Sequence, residues 1–148
     1  LLASFSVLLV AQPDGQWWTL AFLVLVMLVD TGAYVSGLSF GRHLMAPRIS
    51  PKKTWEGFAG AAAVGLLGGV LLAIFMLREP WWVGLIFGAI IVVTATIGDL
   101  AESMIKRDLG VKDMSSWLPG HGGLLDRLDS ILPSAAATYA MYLIFHGS

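Results

Sequence analysis

Long apolar runs separated by short polar breaks dominate the chain. Gly57 to Leu77 is a run of 21 residues without a charge, Trp81 to Gly98 gives 18, and Ser130 to Ser148 gives 19 with His146 as its one basic side chain and no Asp, Glu, Lys or Arg. A helix crossing about 30 Å of hydrocarbon needs roughly 20 such residues, so each run reads as a membrane span. "QWWTLAFLVLVMLVDTGAYVSGLSFG", residues 16–41, is long enough to be a fourth but is broken by Asp30. Residues 1–11 read as the remainder of one more. The pattern predicts an all-α, polytopic membrane helix bundle with about four complete transmembrane helices, an N-terminal stub and two cytoplasmic loops. Residues 1–148 form one membrane-embedded domain on this reading. The opening "LLASFSVLLV" has neither Met nor a basic leader, so the domain is expected to be the C-terminal part of a longer protein.

Charge supports lipid as the solvent and orients the spans. Only 13% of residues are charged, about half the usual fraction for a soluble domain. Arg42, Arg48, Lys52 and Lys53 fall in one long connection; Lys106, Arg107, Lys112 and Arg127 fall in the other. The alternate connections hold only Arg78. The positive-inside rule therefore places both long loops in the cytoplasm; the expected location of the domain is a cell (inner) membrane. Trp17, Trp18, Trp81 and Trp82 follow the outer connections, where aromatic side chains anchor helices. Without cysteine, disulfide scaffolds and thiolate metal sites are excluded. Gly57, Ala61, Gly65 and Gly69 recur every four residues, as do Gly84 and Gly88, a spacing that lets helix backbones approach in lipid. These stripes leave contacts within one subunit and a homodimer interface both open.

Acidic residues stand where lipid would disfavour them. Asp30 lies about two turns before the cytoplasmic end of its span, with Tyr34 four residues on. It is expected to face a partner or a cavity, since an ionisable group there costs roughly 2.5–3.5 kcal/mol on insertion scales. In "TIGDLAESMIKR", Asp99 and Glu102 are three apart, and Ser103 and Lys106 lie four beyond each, so all four share one side of a helix near the cytoplasmic boundary. Asp126 and Asp129 repeat the three-residue spacing at the start of the last helix. Capping explains one of those two well. It does not explain both, nor Asp99 on a separate helix at the same membrane face.

Carboxylates converging beside lysines and arginines point to a metal–phosphate site. Mg²⁺ takes hard oxygen ligands, typically one or two carboxylates plus substrate phosphates. No His/Cys set has zinc spacing. The loop "KRDLGVKDMSSWLPGHGGLLDR" is long for a structureless connection, and such loops are usually functional or disordered. Its "GHGG", His121 to Gly123 with Gly120, supplies backbone amides able to approach phosphate oxygens.

Ser103 to Asp129, "SMIKRDLGVKDMSSWLPGHGGLLDRLD", resembles the signature of the phosphatidate cytidylyltransferases, also called CDP-diacylglycerol synthases. That pattern runs Ser-x-hydrophobic-Lys-Arg, four residues, Lys-Asp, and ends in His-Gly-Gly-x-x-Asp-Arg-x-Asp. "SPKKTWEG" (50–57) is similar to the family's earlier cytoplasmic loop and "DTGAYVSG" to its preceding helix. The family's additional N-terminal spans have no counterpart here. The resemblance implies a nucleotidyltransferase of phospholipid biosynthesis, with CTP and phosphatidate as substrates and CDP-diacylglycerol and pyrophosphate as products.

On that implication Mg²⁺ or another divalent cation would sit on Asp99, Asp126 and Asp129. Lys106, Arg107, Lys112 and Arg127 would clamp phosphates. Ser50, Lys52, Lys53 and Thr54 would meet a substrate phosphate from the other loop, with Ser103, Asp113, His121, Gly122 and Gly123 completing the substrate site. Asp99, Asp126, Lys106 and Arg107 would carry catalysis. Membrane lipids are the expected surroundings, and no nucleic acid is expected as a partner. Two alternatives remain open: a CTP-dependent kinase of a polyprenol or dolichol-type lipid, and a transporter. The transporter predicts acids spread towards the midplane, whereas here only Asp30 lies deep.

Overall fold

The computed structural model describes residues 2–48, 50–108 and 122–146, and these form a helical bundle with one small hairpin. Helix α1 covers Leu2–Val10, α2 Gly15–Phe40, α3 Trp55–Leu72, α4 Trp81–Asp108 and α5 Gly122–His146. A π-helical turn, Ala73–Leu77, continues α3. Strands β1 (Leu44–Ala46) and β2 (Ser50–Thr54) pair antiparallel between α2 and α3, with Leu44 opposite Thr54 and Ala46 opposite Ser50.

The expected helical membrane bundle is present. Three helices are long and apolar enough to cross a membrane: Gly15–Phe40, Trp55–Leu77 and Trp81–Ile105. The fourth expected span is represented by the apolar segment Ile131–His146 of α5, 16 residues and about 24 Å at 1.5 Å per residue. Its helix begins nine residues earlier, so the acidic turn containing Asp126 and Asp129 belongs to the same helix as the span. Likewise α4 runs ten residues past Gly98 to Asp108, carrying Asp99, Glu102, Ser103, Lys106 and Arg107 beyond the apolar stretch on one continuous helix. The connection 41–56, expected as a loop, contains the hairpin instead. Its alternation of apolar and polar residues is too short and too basic to read as strands.

Local chemistry fixes the boundaries. The Thr54 side chain accepts the Gly57 amide at 3.1 Å and caps α3, while Glu56 lies in the first turn where the helix dipole favours an acid. At the other end of α3 the π turn leads to Arg78, whose φ of 55° is left-handed. That conformation ends the helix, and Pro80 follows immediately before α4. Pro133 falls inside α5, where the missing amide leaves the carbonyl four residues back, that of Asp129, without its helical donor.

Apolar packing holds the bundle around α2, α4 and α5. Trp18, Phe22, Leu25, Phe87, Ile91 and Leu9 are fully buried. Trp18 meets Phe87 and Tyr142 edge to face at 5.7 and 5.8 Å, the geometry that aromatic quadrupoles favour. By contrast Leu67, Phe75, Met27, Leu38 and Ile144 point outward, as expected of faces meant for lipid.

The small-residue stripes are used inside the chain. A Cβ on Gly69 would lie 2.4 Å from the Gly84 carbonyl oxygen, and one on Gly88 would lie 2.3 Å from that of Gly65. So α3 and α4 touch backbone to backbone. On its other side α3 meets α2, where a Cβ on Gly60 would collide with the Ser36 side chain and one on Gly32 with Val64. Lipid offers no hydrophobic drive for helices to associate, so contact of this kind supplies the dispersion energy instead.

Replacing Gly88 with Val is expected to destabilise the purified protein by about 1–3 kcal/mol, the usual cost of overpacking. Leu67→Val on the outward face should stay within about 0.5 kcal/mol of the parent. Denaturant titration in detergent measures both, and equal stabilities would show that α3 and α4 do not meet at this seam.

Candidate active site

The packing of α3 against its two neighbours brings the hairpin to the same end of the bundle as the C-terminal half of α4 and the start of α5. Lys53, at the end of β2, reaches across to Asp99 on α4, its Nζ 2.8 Å from Oδ2. This ion pair joins the hairpin to α4 across 46 residues of sequence. Both side chains keep partial access to solvent, at 24% exposure for Lys53 and 37% for Asp99.

Several contacts hold the hairpin end of this link in place. The Trp55 amide donates to the His43 carbonyl at 2.9 Å. The His43 ring Nδ1 and its backbone amide meet the two carboxylate oxygens of Glu56 at 2.5 and 3.2 Å. Together with the Thr54 cap, these bonds tie the hairpin to the first turn of α3 directly after Lys53. The sequence reading missed the His43–Glu56 pair. Its only prior signal was one histidine and one glutamate flanking a basic loop, and the hairpin that joins them was not foreseen.

The α4 face is partly as expected. Asp99 and Ser103 are stacked one turn apart, and the Ser103 hydroxyl donates to the Asp99 backbone carbonyl at 3.0 Å. Glu102 is buried, at 9% exposure, and Arg107 is exposed. Thr54, expected to meet phosphate, uses its hydroxyl oxygen as the helix cap. Ser50 and Lys52 lie on β2, and Lys106 on α4; Gly122, Gly123, Asp126, Arg127 and Asp129 lie in the first turns of α5. Apart from the two glycines, the side chains of these residues lie outside the description, and Lys112, Asp113 and His121 lie outside the described residues. The first amides of α5, those of Gly122 and Gly123 among them, have no acceptor within the helix. A phosphate oxygen is a natural acceptor for such a group.

Asp30 sits deep in α2 and is half-buried, whereas Tyr34 is 68% exposed. The two residues are four apart, yet the helix turns Asp30 inward and Tyr34 towards the lipid side.

The donor chemistry at Asp99 suits a hard cation. A carboxylate with one oxygen already bound to an ammonium is a place where positive charge is held, and oxygen is the ligand atom that magnesium prefers. Among the described residues no three His, Asp or Glu side chains converge.

A membrane bundle with a basic hairpin laid against an acidic helix at one end is the class that fold and site define. The family model described as the cytidylyltransferase family matches residues 1–145, and the chain belongs to that family. It is 48% identical over 139 residues to the phosphatidate cytidylyltransferase of Mycobacterium bovis, covering 94% of this chain and 45% of that protein. The Mycobacterium leprae protein of the same name is 48% identical over 141 residues, covering 95% and 45%. That of Brucella suis is 41% identical over 143 residues, covering 96% and 53%. The chain thus spans about half the length of the curated relatives it matches.

Thr54→Ala is expected to cost about 1 kcal/mol through loss of the cap, and Thr54→Ser to retain most of it. Thermal unfolding of the two variants side by side checks this. Equal loss in both would assign the effect to the methyl group, which packs near Gly41.

Proposed function

We propose that this chain carries the cytidylyl-transfer centre of a phosphatidate cytidylyltransferase. CTP and phosphatidate would be converted to CDP-diacylglycerol and pyrophosphate. The observation that carries the reading is the Lys53–Asp99 contact, which sets a basic hairpin and an acidic helix face together at one end of a membrane bundle. The names of the relatives add support.

The chemistry needs little from a base. The attacking atom is a phosphate oxygen of the lipid, already anionic at neutral pH. It attacks the α-phosphorus of CTP, the bond from that phosphorus to the oxygen bridging to the β-phosphate breaks, and pyrophosphate departs with the electron pair. The obstacle is repulsion between anions, so positioning and charge neutralisation dominate. A divalent cation held by Asp99, with Asp126 and Asp129, would neutralise triphosphate charge and stabilise the leaving group. Lys52 and Lys53 from the hairpin, with Lys106, Arg107, Lys112 and Arg127, would hold phosphate oxygens. Gly122 and Gly123 would offer backbone amides, with His121, Ser50, Ser103 and Asp113 beside them.

The basic loops would face the cytoplasm, giving CTP access while the tails of phosphatidate stay in hydrocarbon. A homodimer would have to use other faces, because the glycine stripes of α3 and α4 are occupied within the chain.

The test is product analysis of the full-length parent protein with labelled CTP and phosphatidate. Release of pyrophosphate with CDP-diacylglycerol is expected; release of CDP would identify a lipid kinase. Asp99→Asn and Asp126→Asn should each lower turnover at least about a hundredfold while the protein still inserts and folds. Turnover near the parent level in either variant would remove that aspartate from the site.

A further inference from the structure

Lys53 combines an anchored backbone with a long side chain of several rotatable bonds. Lys53 lies on β2, and the residue after it is fixed twice, Thr54 pairing with Leu44 and its hydroxyl accepting the Gly57 amide. The His43–Glu56 clamp closes over the same junction. The ammonium, by contrast, makes a single monodentate contact to Asp99 through a four-carbon stem, and both partners are open to water. An arginine there would grip the carboxylate with two parallel bonds; a lysine holds it as a point charge that another cation can replace.

The electrostatics favour a replaceable partner. A carboxylate at the edge of hydrocarbon is costly when its charge is not balanced. A cation that arrives with a nucleotide is absent between turnovers, and the Lys53 ammonium, 2.8 Å from Asp99, is one positive charge that stands there in that interval. Once a divalent cation binds Asp99, the ammonium is repelled from it. The same swing would keep the ammonium within reach of phosphates bound at this corner, because the hairpin backbone is anchored to α3.

We propose that Lys53 is an exchangeable counter-cation: it occupies Asp99 in the substrate-free protein, yields that carboxylate to a divalent cation, and transfers its own charge to a substrate phosphate. This makes it a positioning residue for the cation as well as a phosphate ligand. The inference rests on the reading of the site as a cation-assisted cytidylyl-transfer centre. It adds that cation and lysine compete for one carboxylate.

The experiment measures Mn²⁺ binding to the full-length parent protein in detergent by electron paramagnetic resonance, without nucleotide. Lys53→Met is expected to bind Mn²⁺ about tenfold more tightly than the parent, since the competing ammonium is gone. Asp99→Asn should abolish that difference when combined with Lys53→Met. In the parent, acylation of Lys53 read by mass spectrometry should rise severalfold when Mn²⁺ is added, a measurement that needs no substitution at all. Lys53→Arg should bind Mn²⁺ no more tightly than the parent and recover part of the turnover that Lys53→Met loses.

Equal or weaker Mn²⁺ binding in a folded Lys53→Met variant would overturn the proposal and leave the pair as a fixed strut between hairpin and α4. Acylation of Lys53 that does not respond to Mn²⁺ would do the same, even if Lys53→Met fails to fold. Failure of the underlying reading looks different: the parent would form no CDP-diacylglycerol from CTP and phosphatidate, whatever its Mn²⁺ affinity.

Discussion

The backbone of α3 lies so close to both neighbouring helices that a side chain would not fit between them. Gly65 and Gly69 press on Gly84 and Gly88 of α4, while Gly60 and Gly32 set the spacing to α2. In lipid this contact substitutes for the hydrophobic effect as the source of association. It also fixes where the ends of α3 fall. Because the first turn of α3 is bound to the hairpin, the glycine seam determines that Lys53 arrives within hydrogen-bond distance of Asp99. Packing in the membrane and chemistry at its surface are parts of one geometric constraint.

The opposite end of the bundle closes with different means. The Tyr142 hydroxyl donates to the Pro13 carbonyl at 2.6 Å, and His146 Nε2 lies 3.1 Å from Glu79 Oε1. Tyr142 and His146 stack at 4.7 Å, with Trp18 edge-on to both. Between the two ends, the Thr94 and Ser134 hydroxyls meet at 3.1 Å across α4 and α5, and Thr138 donates to the Ser134 carbonyl at 2.7 Å. Each buried hydroxyl therefore has an acceptor, which a low-dielectric interior requires. These contacts anchor the half of α5 that follows Pro133.

The spans were legible because lipid imposes a length on every crossing segment, and length survives in a single sequence. The seam was half legible: the four-residue spacing identified Gly65, Gly69, Gly84 and Gly88 as contact positions, but not which helix each would touch. Asp99 was found from its position, an acid at the edge of an apolar run with Glu102 and Ser103 on the same side. Its pairing with Lys53 was not, since contact across 46 residues depends on crossing geometry that no local pattern encodes. Thr54 illustrates a different gap. A threonine before Trp-Glu-Gly suits both a phosphate site and a helix cap, and only the fold shows its oxygen on the Gly57 amide. The hairpin went unseen because two strands of three and five residues have too little alternation to register.

A two-stranded ribbon of that size is marginal in water by itself. Here it borrows its order from α3, through the cap, the His43–Glu56 clamp and the Trp55 amide. The consequence is one of timescale. With the hairpin backbone held by these bonds, the Lys53 side chain needs only rotamer changes to leave Asp99, which take picoseconds to nanoseconds rather than the microseconds to milliseconds of a lid. A contact carried by one long side chain on an anchored ribbon is remade far faster than one that waits for a segment of backbone to close.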